Sequence, residues 1–199
     1  FIQLNLLNAS GVTNIALDSV TASVSGPGLI SFDGTTYGKS ITIASTGSQS
    51  IRVLADGTAG VSTISISTLS GFATTKSLTF YAKSAKTITA AVAHPVLAVG
   101  ANAGAVSITA VDANGTAWTG AAYIVASAAA DALIAGSSTP VACTYSSAYA
   151  ANLCPVTGIA NGTAKFKVID ASTVALATAT SNEVSVRVST ASPASVKLS

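Results

Sequence analysis

An all-β fold, in the form of a β-sandwich, is predicted by three observations. Apolar residues alternate with Ser, Thr, Lys or Arg in many short runs, which buries one face and wets the other. Turn dipeptides built on Gly recur along the chain at roughly the 8–12-residue spacing of an all-β domain. No stretch sustains an apolar period of about 3.6 residues between helix caps.

The elements follow in order. Residues 2–7 form the first alternating run and stop at Ser10-Gly11. Gly26-Pro27-Gly28 and Asp33-Gly34 punctuate the next stretch. Residues 40–44 read S-I-T-I-A, and residues 48–54 read S-Q-S-I-R-V-L before Asp56-Gly57. Residues 61–69 carry Val61, Ile64 and Ile66 as apolar marks and end at Ser70-Gly71; this run is expected to present a sheet edge with few Lys gatekeepers. Residues 76–82 alternate again, followed by 85–93, 96–99 and 106–111 before Asn114-Gly115. Asn161-Gly162 opens a strand to Val168, and residues 184–188 read V-S-V-R-V. Asn-Gly and Asp-Gly suit the positive φ of hairpin turns. The Ala-rich stretch 126–134 has room for one or two helical turns.

The chain also repeats itself. Leu7-Asn8-Ala9-Ser10-Gly11 matches Val111-Asp112-Ala113-Asn114-Gly115, which starts 104 residues later. Lys83 to Thr89 is echoed by Ser192 to Ser199. Two modules are therefore expected, at 1–83 and 84–192, with residues 193–199 opening a further strand or serving as a donor strand. The second module begins with two segments, 85–93 and 96–99, that have no counterpart ahead of Phe1. Two explanations stand: the chain is a window on a longer array, or the missing first strand comes from a neighbour. In the second case the tail around Val196 would complete another subunit's sheet. The absence of Met at position 1 marks Phe1 as a processing site or an internal cut.

Composition narrows the function. Of 199 residues, 8% are charged and 49% hydrophobic, with net charge +2. The nine basic residues are dispersed, whereas a nucleic-acid binder needs a dense basic face. A membrane-spanning helix needs about 20 apolar residues. Residues 121–136 are too few and include Asp131, and residues 87–111 are broken by His94, Pro95 and Asn102, so no span is expected.

Asp112-Ala113-Asn114-Gly115, and the strand that starts at Asn161-Gly162-Thr163-Ala164 and runs to Val168, resemble the bacterial immunoglobulin-like repeats of the Big/invasin type. Such repeats build intimin- and invasin-type stalks, cell-wall adhesins and S-layer proteins. The resemblance covers the second module well and the first more loosely. It implies tandem immunoglobulin-like β-sandwiches with a structural role and no catalytic residues to carry over.

The remaining chemistry is sparse. Cys143 and Cys154 enclose ten residues that include Tyr145 and Tyr149. A hairpin-closing disulfide is expected, in an oxidising, extracytoplasmic setting; two free thiols or a metal site are the alternatives, and metal sites usually add C-x-x-C or His partners. Asp33, Asp56, Asp112, Asp131 and Asp170 are the carboxylates open to Ca²⁺, set against a simpler role in Asx turns. Asn8, Asn114 and Asn161 open N-x-S/T sequons and are candidate glycosylation sites. Trp118 is a candidate ligand or interface contact together with Tyr145 and Tyr149, with packing in the core as its alternative. His94 precedes Pro95 as a strand-boundary residue, no G-x-S-x-G elbow exists, and neither an enzyme nor a cofactor is expected.

The function expected from these features is a structural component of an extracellular bacterial surface assembly, an S-layer-like, self-assembling lattice. The alternatives are an adhesin stalk or carbohydrate-binding module that contacts surface glycans, and a phage or pilus-like filament subunit that exchanges strands.

Overall fold

The computed structural model describes residues 1–13 and 18–190. The chain divides into two compact units, Phe1–Lys83 and Ser84–Ser199. The tail expected to open a further strand lies outside the described residues.

The first unit holds seven strands: β1 (Ile2–Asn5), β2 (Ser19–Ser25), β3 (Leu29–Ser31), β4 (Ser40–Ala44), β5 (Ser48–Leu54), β6 (Gly60–Thr68) and β7 (Ala73–Phe80). They form two sheets, ordered β1-β5-β3 and β4-β2-β6-β7. Alternation does what the pattern predicts in β2, where Val20, Ala22 and Val24 are buried while Thr21 and Ser23 are less so. Ile51 from the facing sheet closes the core against Ile64 and Ile66. In β6 the inward residue two places before Ile64 is Ser62, not Val61. Ser62 is buried because its hydroxyl donates to the Pro27 carbonyl, which satisfies the only polar atom of that side chain. The strand expected to be an edge is not one: β6 is paired on both sides, by β2 and β7. The edges of that sheet are β4 and β7.

The second unit holds β8 (Thr87–Val92), β9 (Val96–Leu97), β10 (Gly100–Val111), β11 (Tyr123–Ala126), α1 (Ala129–Ile134), β12 (Val141–Ala142), β13 (Thr144–Ser146), β14 (Ala151–Gly158), β15 (Gly162–Ile169) and β16 (Val184–Val188). One sheet runs β13-β14-β10-β8 and the other β12-β11-β15-β16-β9. All pairings are antiparallel except β9 with β16. The opening strand thus splits, β8 joining one sheet and β9 the other. That is the arrangement of an immunoglobulin-like sandwich, in which four strands face the sheet built on the central hairpin. The Ala-rich stretch supplies α1, a helix of 6 residues. Pro155 lies in β14 and offers no amide to the ladder; opposite it, the register with β10 shifts between Asn102 and Val106, so the proline meets an irregularity rather than a paired acceptor.

The repeat seen in the sequence is kept atom by atom at its turn. In the second unit the Asp112 carboxylate accepts from the amides of Asn114 (2.8 Å) and Thr116 (2.9 Å). The Asp112 amide donates to the Thr116 carbonyl, and the Gly115 amide to the Asp112 carbonyl. In the first unit Asn8 Oδ1 accepts from Ser10 (3.0 Å) and Val12 (2.9 Å), the Asn8 amide donates to Val12, and the Gly11 amide to Asn8. Gly11 and Gly115 sit at φ 74° and 77°, the left-handed region that glycine enters without penalty. Asp112 is itself buried. Replacing it with Ala removes a charged acceptor from two backbone amides, and Asp112→Ala is expected to cost the second unit about 2 kcal/mol, read from its denaturant midpoint.

Candidate interaction surfaces

Cys143 lies between β12 and β13, where the chain leaves one sheet for the other. It is disulfide-bonded to Cys154 in β14. Thr144, Tyr145 and Ser146 pair with Leu153, Asn152 and Ala151, so the bridge extends the same ladder by one rung. The Cys143 amide also donates to the Ala122 carbonyl at 2.8 Å, which ties the crossing strand to the segment ahead of β11. Cys154 is fully buried, and the disulfide therefore anchors the β13–β14 hairpin to the core. Tyr145 and Tyr149 stand on that hairpin, with Tyr149 74% exposed.

Trp118 does not join them. It is 3% exposed and packs in the core of the second unit with Phe166 and Ile108. A methyl group at Gly120 would overlap its indole ring, so the glycine is what lets the backbone pass so close. A ligand-contact role for Trp118 is therefore corrected to core packing, the fate of most large aromatic rings in a sandwich.

Asn8, Asn114 and Asn161 are all exposed. The carboxylates are spent on backbone amides. Asp33 accepts from Ser31, Thr35 and Thr36, each at 2.8 Å. Asp131 accepts from the Lys165 amide, and Asp170 from Thr178 and Ala179. Asp56 accepts from the Thr58 amide and pairs with Lys39 at 3.0 Å. Among the described residues no three His, Cys, Asp or Glu side chains gather as a metal site would require. Each aspartate noted for calcium is thus seen closing a turn or joining two segments.

These bonds favour the ionised carboxylates. The Thr35 and Thr36 amides hold Asp33 well below its usual range, the Ser70 hydroxyl lowers Asp18, and the Thr58 amide followed by Lys39 lowers Asp56 to about 2. A depressed folded pKa means that stability is fully present above the unfolded value and is lost as pH falls through the folded one. The first unit's melting temperature is therefore expected to stay level as pH drops from 8 to 5 and to fall below about pH 4; scanning calorimetry across that series checks it.

The two units differ most at one side. In the second, β8 covers β10 and β9 covers β16. In the first, the counterparts β1 and β7 each have one partner among the described residues, β5 and β6. The hairpins run in the same register, with Gly60 opposite Phe80 as Gly162 is opposite Val188. Inward Val184, Val186 and Val188 are buried, yet their counterparts Lys76, Leu78 and Phe80 are exposed or half-buried. Between β1 and the β6–β7 end lies a cleft of about 690 Å³, lined by Leu4, Leu6, Ile66, Phe72 and Thr74 among others. Leu69 and Phe72 at its mouth are 82% and 76% exposed. Sequence reading did not name this cleft, because the cleft depends on which strands pair.

No helix among the described residues is long and apolar enough to cross a membrane. No family model matches the chain, and no curated protein matches it. Among solved structures, it is similar to the S-layer protein rSbsC(31-844), at 15% identity and a TM-score of 0.37, over 87% of this chain and 20% of that one. It is also similar to the C-terminal 282-residue fragment of intimin in complex with the intimin-binding domain of the translocated intimin receptor, at 13% identity and a TM-score of 0.35, over 93% of this chain and 56% of that one. Murine CEACAM1b is a third, at 12% identity and a TM-score of 0.29, over 88% of this chain and 87% of that one. The chain thus spans a fifth of the S-layer chain and little more than half of the intimin fragment. The immunoglobulin-like fold itself rests on the strand pairing.

Proposed function

We propose that this chain is a structural, self-associating part of an extracellular bacterial surface assembly, built from immunoglobulin-like modules of the Big/invasin type. The observation that carries the reading is β7. It is a sheet edge of 8 residues, A-T-T-K-S-L-T-F, with one Lys, no Pro and almost every side chain exposed. Proteins that stay monomeric shorten, charge or cover such edges. The second unit follows that rule: its edges β9, β12 and β13 are only 2 or 3 residues long, and its longer edge, β8, is covered at Ala90 by the side chain of Asn182. Low charge adds to the effect, because little repulsion opposes contact between copies. The Cys143–Cys154 bridge supports an oxidising location outside the cytoplasm. Sedimentation of the native chain at rising concentration, with electron microscopy of the products and of the source cells, tests the reading. Ordered assemblies support it, and a monomer at every concentration with no array on the cells overturns it.

A second reading, an adhesin or glycan-binding module, is favoured by the exposed Tyr145 and Tyr149 on a covalently pinned hairpin. A glycan array that shows binding lost in Tyr149→Ala supports it, and a blank array counts against it.

A further inference from the structure

We propose that β4 is a second self-association edge, at which two copies of this chain pair antiparallel about a two-fold axis through Thr42. The proposal rests on the self-association reading. It adds to the β7 edge the further contact that an extended assembly needs, because a two-fold contact through one edge closes as a pair.

β4 bounds its sheet and, among the described residues, pairs with β2 alone. The Val24 amide donates to the Lys39 carbonyl, and the Ser45 amide to the Asp18 carbonyl. Bonded pairs in an antiparallel ladder recur at every second residue. Ile41 and Ile43 therefore spend their backbone groups on β2, while Ser40, Thr42 and Ala44 turn theirs to the open side. Those three residues are exposed. The Ala44 carbonyl accepts from the Gln49 side chain at 3.3 Å and keeps a second lone pair. The usual edge protections are missing here, since Ser40–Ala44 carries no charge and no Pro. The adjacent Lys39 is drawn away from the edge: its ammonium donates to the Gly26 and Gly28 carbonyls, each at 2.7 Å, and pairs with Asp56. At the same place the second unit has only β12, of 2 residues, because the chain there crosses to the other sheet through Cys143.

The strand itself names the occupant. S-I-T-I-A reads nearly the same in both directions about Thr42. Antiparallel pairing with a second copy sets Thr42 opposite Thr42, Ile41 opposite Ile43 and Ser40 opposite Ala44. The Thr42 pair exchanges two backbone hydrogen bonds, and each Ser40–Ala44 pair extends the same outward ladder. Ile41 and Ile43 are only half-buried in the single chain. Across the two-fold axis they form non-hydrogen-bonded pairs, the kind whose side chains approach most closely. Pairing thus satisfies the outward backbone groups and covers the two isoleucines in one step. With no charge on the strand, nothing repels its copy.

The test compares the full chain with three full-length variants. T42P removes an outward amide and leaves the bonds to β2 in place, the one setting in which a strand tolerates Pro. T42C and S40C read the register. A bonded pair at position 42 brings the two Cα atoms to about 5.5 Å, within disulfide reach, whereas Ser40 faces Ala44 of the second copy. Sedimentation over a concentration series is expected to show the parent associating. In T42P the step through β4 is expected to weaken on the order of a hundredfold, leaving smaller species at each concentration. On mild oxidation T42C is expected to form a covalent dimer and S40C to remain a single chain. A T42P size distribution equal to the parent's, or S40C linking as readily as T42C, overturns the β4 contact and leaves self-association through another edge standing. A parent that is monomeric at every concentration overturns the β4 contact and the self-association reading together.

Discussion

Trp118→Ala is expected to lower the stability of the second unit by about 3–5 kcal/mol, the usual cost of emptying a large aromatic side chain from a closed core. The ring is 3% exposed and packs among residues from both sheets, so the cavity cannot collapse from one side alone. Calorimetry resolves the effect by unit: the transition of Ser84–Ser199 moves down, while that of Phe1–Lys83 stays in place. Gly120→Ala tests the same packing from the other partner, because its new methyl meets the indole. A wild-type-like stability for Trp118→Ala contradicts the core assignment and returns the side chain to a surface role.

Loss of the disulfide is the next largest effect. Closing a ring of about 12 residues removes roughly 3 kcal/mol of loop entropy from the unfolded chain in the entropic account. C143A/C154A is expected to destabilise the second unit by about that amount, and reduction by dithiothreitol to act in the same direction. Trp118 is the chain's single Trp and lies in the same unit, so its fluorescence follows this transition without contribution from the first. The cost has a local source as well, since the bridge holds the chain where it crosses between sheets after β12. An unchanged midpoint would show that hydrogen bonding between β13 and β14 suffices to hold the hairpin.

Much of the fold is written in local pattern. Alternation locates β4, β5, β6 and β16, because one face of each strand is buried and the other meets water. Gly11 and Gly115 could be read as turns because an L residue pays for positive φ and glycine does not. β2 was harder to see, although S-V-T-A-S-V-S alternates, because Ala22 is too small to stand out against Ser and Thr. β11 is buried at Ile124, Val125 and Ala126 in succession, so it has no period to detect.

Pairing order is not a local property. Residues 61–69 have the composition of an edge and yet lie between β2 and β7, and no residue within the run reports which neighbours flank it. The same holds for Trp118, whose burial depends on both sheets. The site itself was not legible: the echo between residues 83–89 and 192–199 marks a repeat but does not say which strands pair. Its cleft, its lining and the exposed Leu69 and Phe72 needed the three-dimensional pairing.

Amide hydrogen exchange, compared between dilute and associated chain, tests the central claim most directly. If copies meet at the edge of β7, its amides gain protection on association, while those of β13, an edge of the second unit, do not change. An associated chain in which β7 exchanges as fast as in the dilute chain would contradict the account.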